Sequence, residues 1–238
     1  MAHHRKTFNP PPTLMSVRQH KAIQRTYQDL YHRYGPQHWW PGDTPFEIMV
    51  GAILTQNTAW TNVEKAIHNL KQADCLDPES IVSMPIHSLA ELIRSSGYFN
   101  VKAGRLTHYC QWYLENGGYE QLKALKTQFL RQRLLSVHGV GPETADDILL
   151  YGFRRRVFVV DAYTRRLFLR LGIIEGEEDY DGVRVLAEQA LKRSVKDMNE
   201  LHALIVIHAK NSCRVRPLCE TCCIRRRCRF QADQAVNS

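Results

Sequence analysis

The chain has 238 residues, enough for one large or two small domains that bury a real hydrophobic core. Its 32 Lys and Arg against 24 Asp and Glu give a net charge of +8, which favours a polyanionic partner without choosing among nucleic acid, membrane surface and acidic protein. No stretch reaches the apolar length of a membrane span, and residues 1–15 lack the apolar core of a secretion signal. We therefore expect no membrane partner and a cytoplasmic location, nucleoid-associated if the protein is bacterial.

Helical periodicity runs through nearly the whole chain after residues 1–16, which contain three consecutive prolines and are expected to form a flexible arm. We find no internal repeat and no alternation long enough for a sheet, so the expected fold class is all-α. One helical lobe is expected at 46–161 and another at 17–45 with 162–238. The predicted helices cover 17–34, 46–54, 60–70, 78–84, 87–94, 106–115, 119–125, 127–137, 164–171, 183–192 and 201–209.

Two adjacent tryptophans, Trp39 and Trp40, precede Pro41 between the first two predicted helices. Large aromatic side chains serve equally well to pack a loop onto a core and to line a binding pocket, so the pair alone does not distinguish these two roles. The polar run Thr55–Thr58 lies between two apolar helices, which is typical of a helix end that faces a cleft. This run favours the binding role.

A glycine turn, Gly139-Val140-Gly141, follows an apolar run and is followed by Pro142 at the start of a helical pattern. Glycine allows the backbone to turn sharply and to approach a ligand closely, and proline suits the first helical position. Unpaired amides and the helix dipole would together bind an anion such as phosphate. Asp161 follows about twenty residues later, after the apolar run 157–160, and it could cap a helix or act chemically. A plain helix–turn–helix linker is the alternative.

Five of the seven cysteines lie between Cys213 and Cys228. Cys213, Cys219, Cys222 and Cys228 follow the spacing C-x5-C-x2-C-x5-C in a loop rich in arginine, and Cys223 is left over. Four thiolates complete a zinc site or hold an iron–sulfur cluster, and spacing alone does not separate the two.

The combination G-V-G-P-x-T-A followed by V-D-x-x-x-x-R resembles the helix-hairpin-helix (HhH-GPD) DNA glycosylases of the endonuclease III type. W-W-P, F-E-x-x-x-G-A-x-L-T-Q-N-T and S-G-Y-F-N-x-K-A resemble most closely the 3-methyladenine DNA glycosylase III branch. The resemblance implies a two-lobed helical fold with the hairpin at about 131–150, acting as a monomer on double-stranded DNA that contains a damaged base. It also implies a [4Fe–4S] cluster rather than zinc, although the family spacing begins with C-x6-C.

The same resemblance assigns roles to individual residues. Asp161 is expected to be the catalytic carboxylate, Gln56 to fill the gap left by a flipped base, and Tyr98 to be a wedge in the duplex. Lys102, with Arg105 beside it, is expected to contact phosphate. The remaining assignments are the hairpin contacts Gly139, Val140, Gly141 and Thr144, the base pocket Trp39, Trp40, Pro41, Trp60 and Lys210, and the cluster ligands Cys213, Cys219, Cys222 and Cys228.

Glu143 stands where bifunctional members of the family carry the lysine that forms a Schiff base. A carboxylate cannot form this bond, so the sequence predicts a monofunctional glycosylase without strand cleavage. Aromatic pocket walls indicate an alkylated purine as the base that is removed. The branch lacks the cysteine cluster and has phenylalanine at Trp60, which leaves the damaged base open. The alternatives are a bifunctional pyrimidine glycosylase/lyase and a non-catalytic, metal-stabilised DNA-binding module.

Overall fold

The structure is a computed structural model that describes residues 14–39, 42–191 and 194–230. These residues form helices joined by short turns, with no strand among them, so the all-α prediction is confirmed. None of the described helices is long and apolar enough to cross a membrane. The helices are α1 (Leu14–Tyr34), α2 (Pro45–Leu54), α3 (Trp60–Gln72), α4 (Pro78–Ser83), α5 (Ile86–Leu92), α6 (Phe99–Glu115), α7 (Gly118–Ala124), α8 (Thr127–Leu135), α9 (Pro142–Asp147), α10 (Ala162–Arg170), α11 (Tyr180–Ala190) and α12 (Val195–Asn211).

Side-chain caps explain where several of these helices begin. Thr44, Asp77, Asp161, Asp179 and Ser194 each accept a hydrogen bond from the backbone amide three residues later. Such a cap satisfies an amide that has no partner inside the helix, and it stabilises the helix by about 1 kcal/mol. Asp161 is therefore held at a helix end by its own local sequence.

The helices pack around two apolar cores. The first core unites α2 to α9, and the second unites α1, α10, α11 and α12 with the start of the cysteine loop. The segment 157–160 passes from one core to the other: Val157 belongs to the first, and Phe158 to Val160 belong to the second. Because all four side chains are buried, this segment anchors the following Asp161 where the two cores meet.

The two helices around the glycine turn are tied to the second core by ion pairs. Arg131 of α8 binds the fully buried Asp146 of α9 with Nε–Oδ1 at 2.7 Å, and it also reaches Asp181 of α11 at 2.7 Å. Arg184 of α11 binds Asp181 as well, at 3.0 Å. Removing one partner of a buried pair leaves an uncompensated charge, so these contacts hold the hairpin in a defined position.

Candidate active site

A cavity of about 160 Å³ lies between the two cores, with Asp161 in its wall. It brings together four of the residues predicted to act at one site: Asp161, Trp39, Trp60 and Lys210. Trp40 and Pro41 lie outside the described residues. The lining consists of Trp39, Ile48, Ala52, Thr55, Thr58, Ala59, Trp60, Glu143, Asp147, Tyr151, Val159, Asp161, Tyr163, His202, Val206 and Lys210.

Asp161 is at once a helix cap and a wall residue of the cavity. Its Oδ1 accepts a hydrogen bond of 2.7 Å from the amide of Thr164, and its Oδ2 lies 3.5 Å from Nε2 of His202. Burial alone would raise the pKa of Asp161, but His202 and the Thr164 amide outweigh burial and lower it below its usual value. The carboxylate is therefore ionised, with its Oδ2 facing His202 in the wall of the cavity.

His202 is a site residue that the sequence analysis missed. Its ring stacks on Trp39 with centroids 5.9 Å apart and planes 7° apart, and its Nδ1 meets the hydroxyl of Tyr151. Burial would lower the pKa of His202, but neighbouring carboxylates, Asp161 foremost, raise it. A helical signal could have found this residue, because His202, Val206 and Lys210 follow one another at intervals of four on α12.

Two further carboxyl groups line the cavity from α9. Glu143 and Asp147 are one turn apart on the same face of this helix. Burial is the main cause that raises the pKa of both, to about 8 for Asp147, and the charge of Asp161 adds to it. Glu143 thus lines the cavity. The sequence resemblance aligns this position with the Schiff-base lysine of bifunctional family members.

The glycine turn has the tight geometry that the sequence predicted. Gly139 has a φ of +85°, and a Cβ there would lie 2.3 Å from the Cγ of Arg105. Among the described residues, the amides of Gly139 and Gly141 have no hydrogen-bond partner, whereas the amide of Val140 donates to Val137. The amide of Val140 is therefore engaged and its side chain is buried, and its contact with DNA stays a prediction.

Gln56 joins the polar run after α2 to the hairpin. Its Nε2 donates to the carbonyl of Gly139 at 3.0 Å and to the hydroxyl of Thr144 at 2.9 Å, while Arg105 donates to its Oε1. The hydroxyl of Thr144 is buried by this contact. To fill the gap of a flipped base, Gln56 would have to give up these bonds, and its role in DNA stays a prediction.

Tyr98 and Lys102 differ sharply in exposure. Tyr98 is 71% exposed and adopts a left-handed conformation with φ +46°, directly before α6. The sequence predicted a loop up to residue 105, but α6 begins at Phe99 and turns Lys102 inward. Lys102 is 1% exposed, and its Nζ donates to the carbonyls of Leu54 and Ser96 at 2.8 and 2.6 Å. The predicted phosphate contact of Lys102 is therefore wrong, because its ammonium binds the last carbonyls of two helical segments inside the lobe.

The four predicted cluster ligands, Cys213, Cys219, Cys222 and Cys228, line one small cavity after α12. Cys223 does not line it and is exposed. Among the described residues, no three His, Cys, Asp or Glu side chains are arranged to hold a single metal ion. Four thiols are a donor set that a four-iron cluster accepts, and that zinc accepts as well.

An arginine holds the wall of the cysteine cavity. Arg170 donates to Sγ of Cys213 at 3.2 Å and to the carbonyls of Arg214 and Val215 at 2.7 and 3.0 Å. Burial raises the pKa of Cys222 to about 11, so in this structure its thiol is neutral and metal binding would have to release the proton.

A cavity with aromatic walls and a fixed carboxylate lies beside a glycine hairpin and between two helical cores, an arrangement that suits an enzyme acting on DNA bases. The chain belongs to the HhH-GPD superfamily of base excision DNA repair proteins, whose pattern matches residues 50–193.

Relatives and solved structures agree with this membership. A Methanocaldococcus jannaschii protein, provisionally named as a DNA repair glycosylase, is 46% identical over 90% of this chain and 99% of its own. The crystal structure of H. pylori 3-methyladenine DNA glycosylase bound to 1,N6-ethenoadenine is 32% identical and superposes with a TM-score of 0.67, over 82% of this chain and 97% of its own. The chain is thus a DNA glycosylase of base excision repair.

Endonuclease III is also similar to this chain. The Sulfolobus acidocaldarius protein is 28% identical over 81% of this chain and 85% of its own. A trapped endonuclease III–DNA covalent intermediate has a TM-score of 0.79 over 91% of this chain and 98% of its own, at 19% identity. This second likeness shows the fold alone.

Proposed function

We propose that the protein is a monofunctional glycosylase that flips an alkylated purine out of double-stranded DNA into the cavity and hydrolyses the bond between base and sugar. The observation that carries this proposal is the shared cavity: Asp161 lines it together with Trp39, Trp60 and Lys210. Separation of base and sugar develops positive charge on the sugar, which a fixed carboxylate stabilises. A DNA-binding module without catalysis would not need an ionised carboxylate that faces an aromatic pocket.

The pocket chemistry supports an alkylated purine. The ring faces of Trp39 and Trp60 offer stacking surface, and alkylation at a ring nitrogen gives the base a positive charge that strengthens stacking. The H. pylori relative is named as a 3-methyladenine DNA glycosylase, which agrees with this substrate class. The bond to such a base is already labile, so electrostatic stabilisation of the sugar by Asp161 is enough without protonation of the base.

Monofunctional chemistry follows from Glu143. This carboxyl lines the cavity near Asp161, and it has no amine with which to attack the sugar. One observation favours the bifunctional alternative: Lys210 lines the same cavity and carries an amine. We place Lys210 in the base pocket, where an ammonium can contact base heteroatoms.

The phosphate and cofactor assignments complete the proposal. The unpaired amides of Gly139 and Gly141 would bind a DNA phosphate, and the exposed Tyr98 would enter the duplex. Cys213, Cys219, Cys222 and Cys228 would hold a [4Fe–4S] cluster that keeps the arginine-rich loop in shape beside DNA.

The deciding experiment is base release from a duplex that contains one N7-methylguanine, with borohydride present in a parallel reaction. We expect free base, an intact abasic strand and no trapped protein–DNA adduct. Efficient trapping by the wild type that is lost in Lys210→Ala would instead support the bifunctional alternative. The absence of base release from any methylated duplex would overturn the alkylpurine assignment.

A further inference from the structure

We propose that Asp147 is a second catalytic acid, which donates a proton to the departing base and extends the substrate class to uncharged damaged purines. This inference rests on the proposed function, because it concerns the base that occupies the same cavity. Neither the hairpin motif nor the pocket aromatics point to this residue.

The position of Asp147 is the first observation. It ends α9 and lines the cavity one helical turn after Glu143, together with Asp161 and Trp39. Its carboxyl group accepts no hydrogen bond from any described residue and forms no ion pair there. A carboxyl group that lines a base-sized cavity without a protein partner is available to a ligand.

The neighbouring aspartate shows how a structural carboxyl on the same helix differs. Asp146 is fully buried, and both of its oxygens are bound by Arg131, at 2.7 and 3.1 Å. Asp147 points to the other side of the helix, where the cavity lies. Asp146 therefore has a structural role, whereas its neighbour Asp147 lies at the site.

The charges around Asp147 favour its neutral, proton-bearing form. Three acids lie near it: Glu143 and Asp146 on its own helix and Asp161 at the start of α10. Positive charge comes from His202 and Lys210 of α12. The phenols of Tyr151 and Tyr180 are uncharged. Burial has the largest effect and the acids add to it, so the pKa of Asp147 rises to about 8 although His202 opposes this. Below this pH the group is a donor.

The proton matters only for some bases. A purine that is methylated at a ring nitrogen is already cationic and leaves as a neutral molecule. An uncharged damaged purine would leave as an anion, and protonation of one of its ring nitrogens prevents this. When the bond from C1′ to the base breaks, its electron pair stays on the base, and the proton of Asp147 neutralises the base. Water then adds to C1′, and the proton that it loses restores Asp147 by way of Asp161 or solvent.

The test compares two duplexes that differ only in the lesion, N7-methylguanine or 1,N6-ethenoadenine, under single-turnover conditions at pH 7. We expect Asp147→Asn to slow release of ethenoadenine by about 100-fold or more and release of methylguanine by less than about threefold, since a general acid contributes about 10²–10⁴. Asn keeps the size of the side chain but has no carboxyl proton to transfer. Release of methylguanine also reports that the variant is folded.

The pH dependence is a second measurement that needs no variant. In the wild type, release of ethenoadenine should fall above about pH 8, where Asp147 loses its proton, while release of methylguanine should not fall there. Asp74→Asn removes an exposed carboxylate far from the cavity lining and should leave both rates unchanged.

Different outcomes overturn different statements. Equal losses for the two lesions in Asp147→Asn, or no loss for either, would exclude the acid role. A wild type that releases methylguanine but not ethenoadenine would overturn this inference and leave the proposed function standing. A wild type that releases neither would overturn both.

Discussion

The cavity between the lobes and the cysteine loop are the two places where this chain gathers reactive side chains, and they are held in different ways. In the cavity, Asp161 is fixed by a buried apolar segment before it and by a helix cap after it. The cysteines lie on a loop with only two short turns, held mainly by Arg170 and backbone hydrogen bonds. The cavity is therefore organised by the fold itself, whereas the loop has few contacts of its own beyond Arg170 and short turns.

Asp161→Asn should give the largest loss of base release among these variants, because it changes the charge of the cavity and leaves the architecture intact. Asn is as good a helix cap as Asp, so the melting temperature should change little. Release of methylguanine should fall by about 10³-fold, the loss typical when a main electrostatic stabiliser is removed, while binding to damaged duplex persists. Single-turnover rates and gel-shift titrations measure the two quantities.

Asp179→Asn is the matched control, since Asp179 caps α11 in the same way and lies outside the cavity lining. Its rate should equal that of the wild type. Near-normal base release by Asp161→Asn would remove the catalytic assignment.

Glu143→Lys should change the product type, provided that the cavity is as rigid as its packing indicates. A lysine at this position would line the cavity near Asp161, and an amine there can attack the sugar. We expect borohydride to trap a covalent adduct with Glu143→Lys and none with Glu143→Gln. If the lysine variant still released methylguanine yet gave no adduct, Glu143 would lie too far from the sugar to explain monofunctional chemistry.

The cysteine variants should disturb the loop and spare the cavity. Ser in place of Cys219 removes one proposed ligand, so iron and acid-labile sulfide should fall from four per chain to near zero, with a lower melting temperature. Cys223→Ser is the control, because Cys223 is exposed and does not line the cysteine cavity. Stoichiometric zinc without iron in the wild type would contradict the cluster.

His202→Leu should give a smaller effect that depends on pH. His202 and the Thr164 amide lower the pKa of Asp161, and without His202 the burial that raises this pKa is less opposed. Since Asp161 acts as an anion, loss of activity on the acidic side should begin at higher pH in the variant than in the wild type. Rates for methylguanine measured from below the ordinary pKa of an aspartate, near 4, up to neutral pH would show this shift. An unchanged acidic limb would mean that the Thr164 amide alone keeps Asp161 ionised.

The lowered pKa of Asp161 should also make the stability of the folded protein depend on pH. The pKa of Asp161 is lower in the folded protein than its ordinary value near 4, so the stabilisation is present above that value and is lost as the pH falls through the folded pKa.

Local motifs predicted the all-α class and the helix pattern, because caps, glycine turns and helical periodicity depend on neighbours in the chain. The family resemblance supplied the cavity residues Trp39, Trp60 and Lys210, whereas His202 was not predicted. Asp161 could be singled out because the apolar run before it and the cap position are both visible in the sequence. Lys102 could not be placed in the same way. Its ammonium is held by carbonyls 48 and 6 residues away. In the sequence, a lysine that binds helix-end carbonyls cannot be told from one that contacts phosphate.

By itself, the sequence determined the class of the protein, the hairpin and the carboxylate after it, since each depends on residue types at short, fixed spacing. Only the tertiary structure decided that His202 stacks on Trp39 beside Asp161, and that Asp147 faces the cavity while Asp146 faces Arg131. His202 lies 41 positions from Asp161 and 163 positions from Trp39 in the sequence. The two aspartates are adjacent in the sequence and differ in the direction of their side chains. The physical reason is that burial and the field of neighbouring charges arise only when distant helices pack together, and they set which carboxyl group keeps its proton.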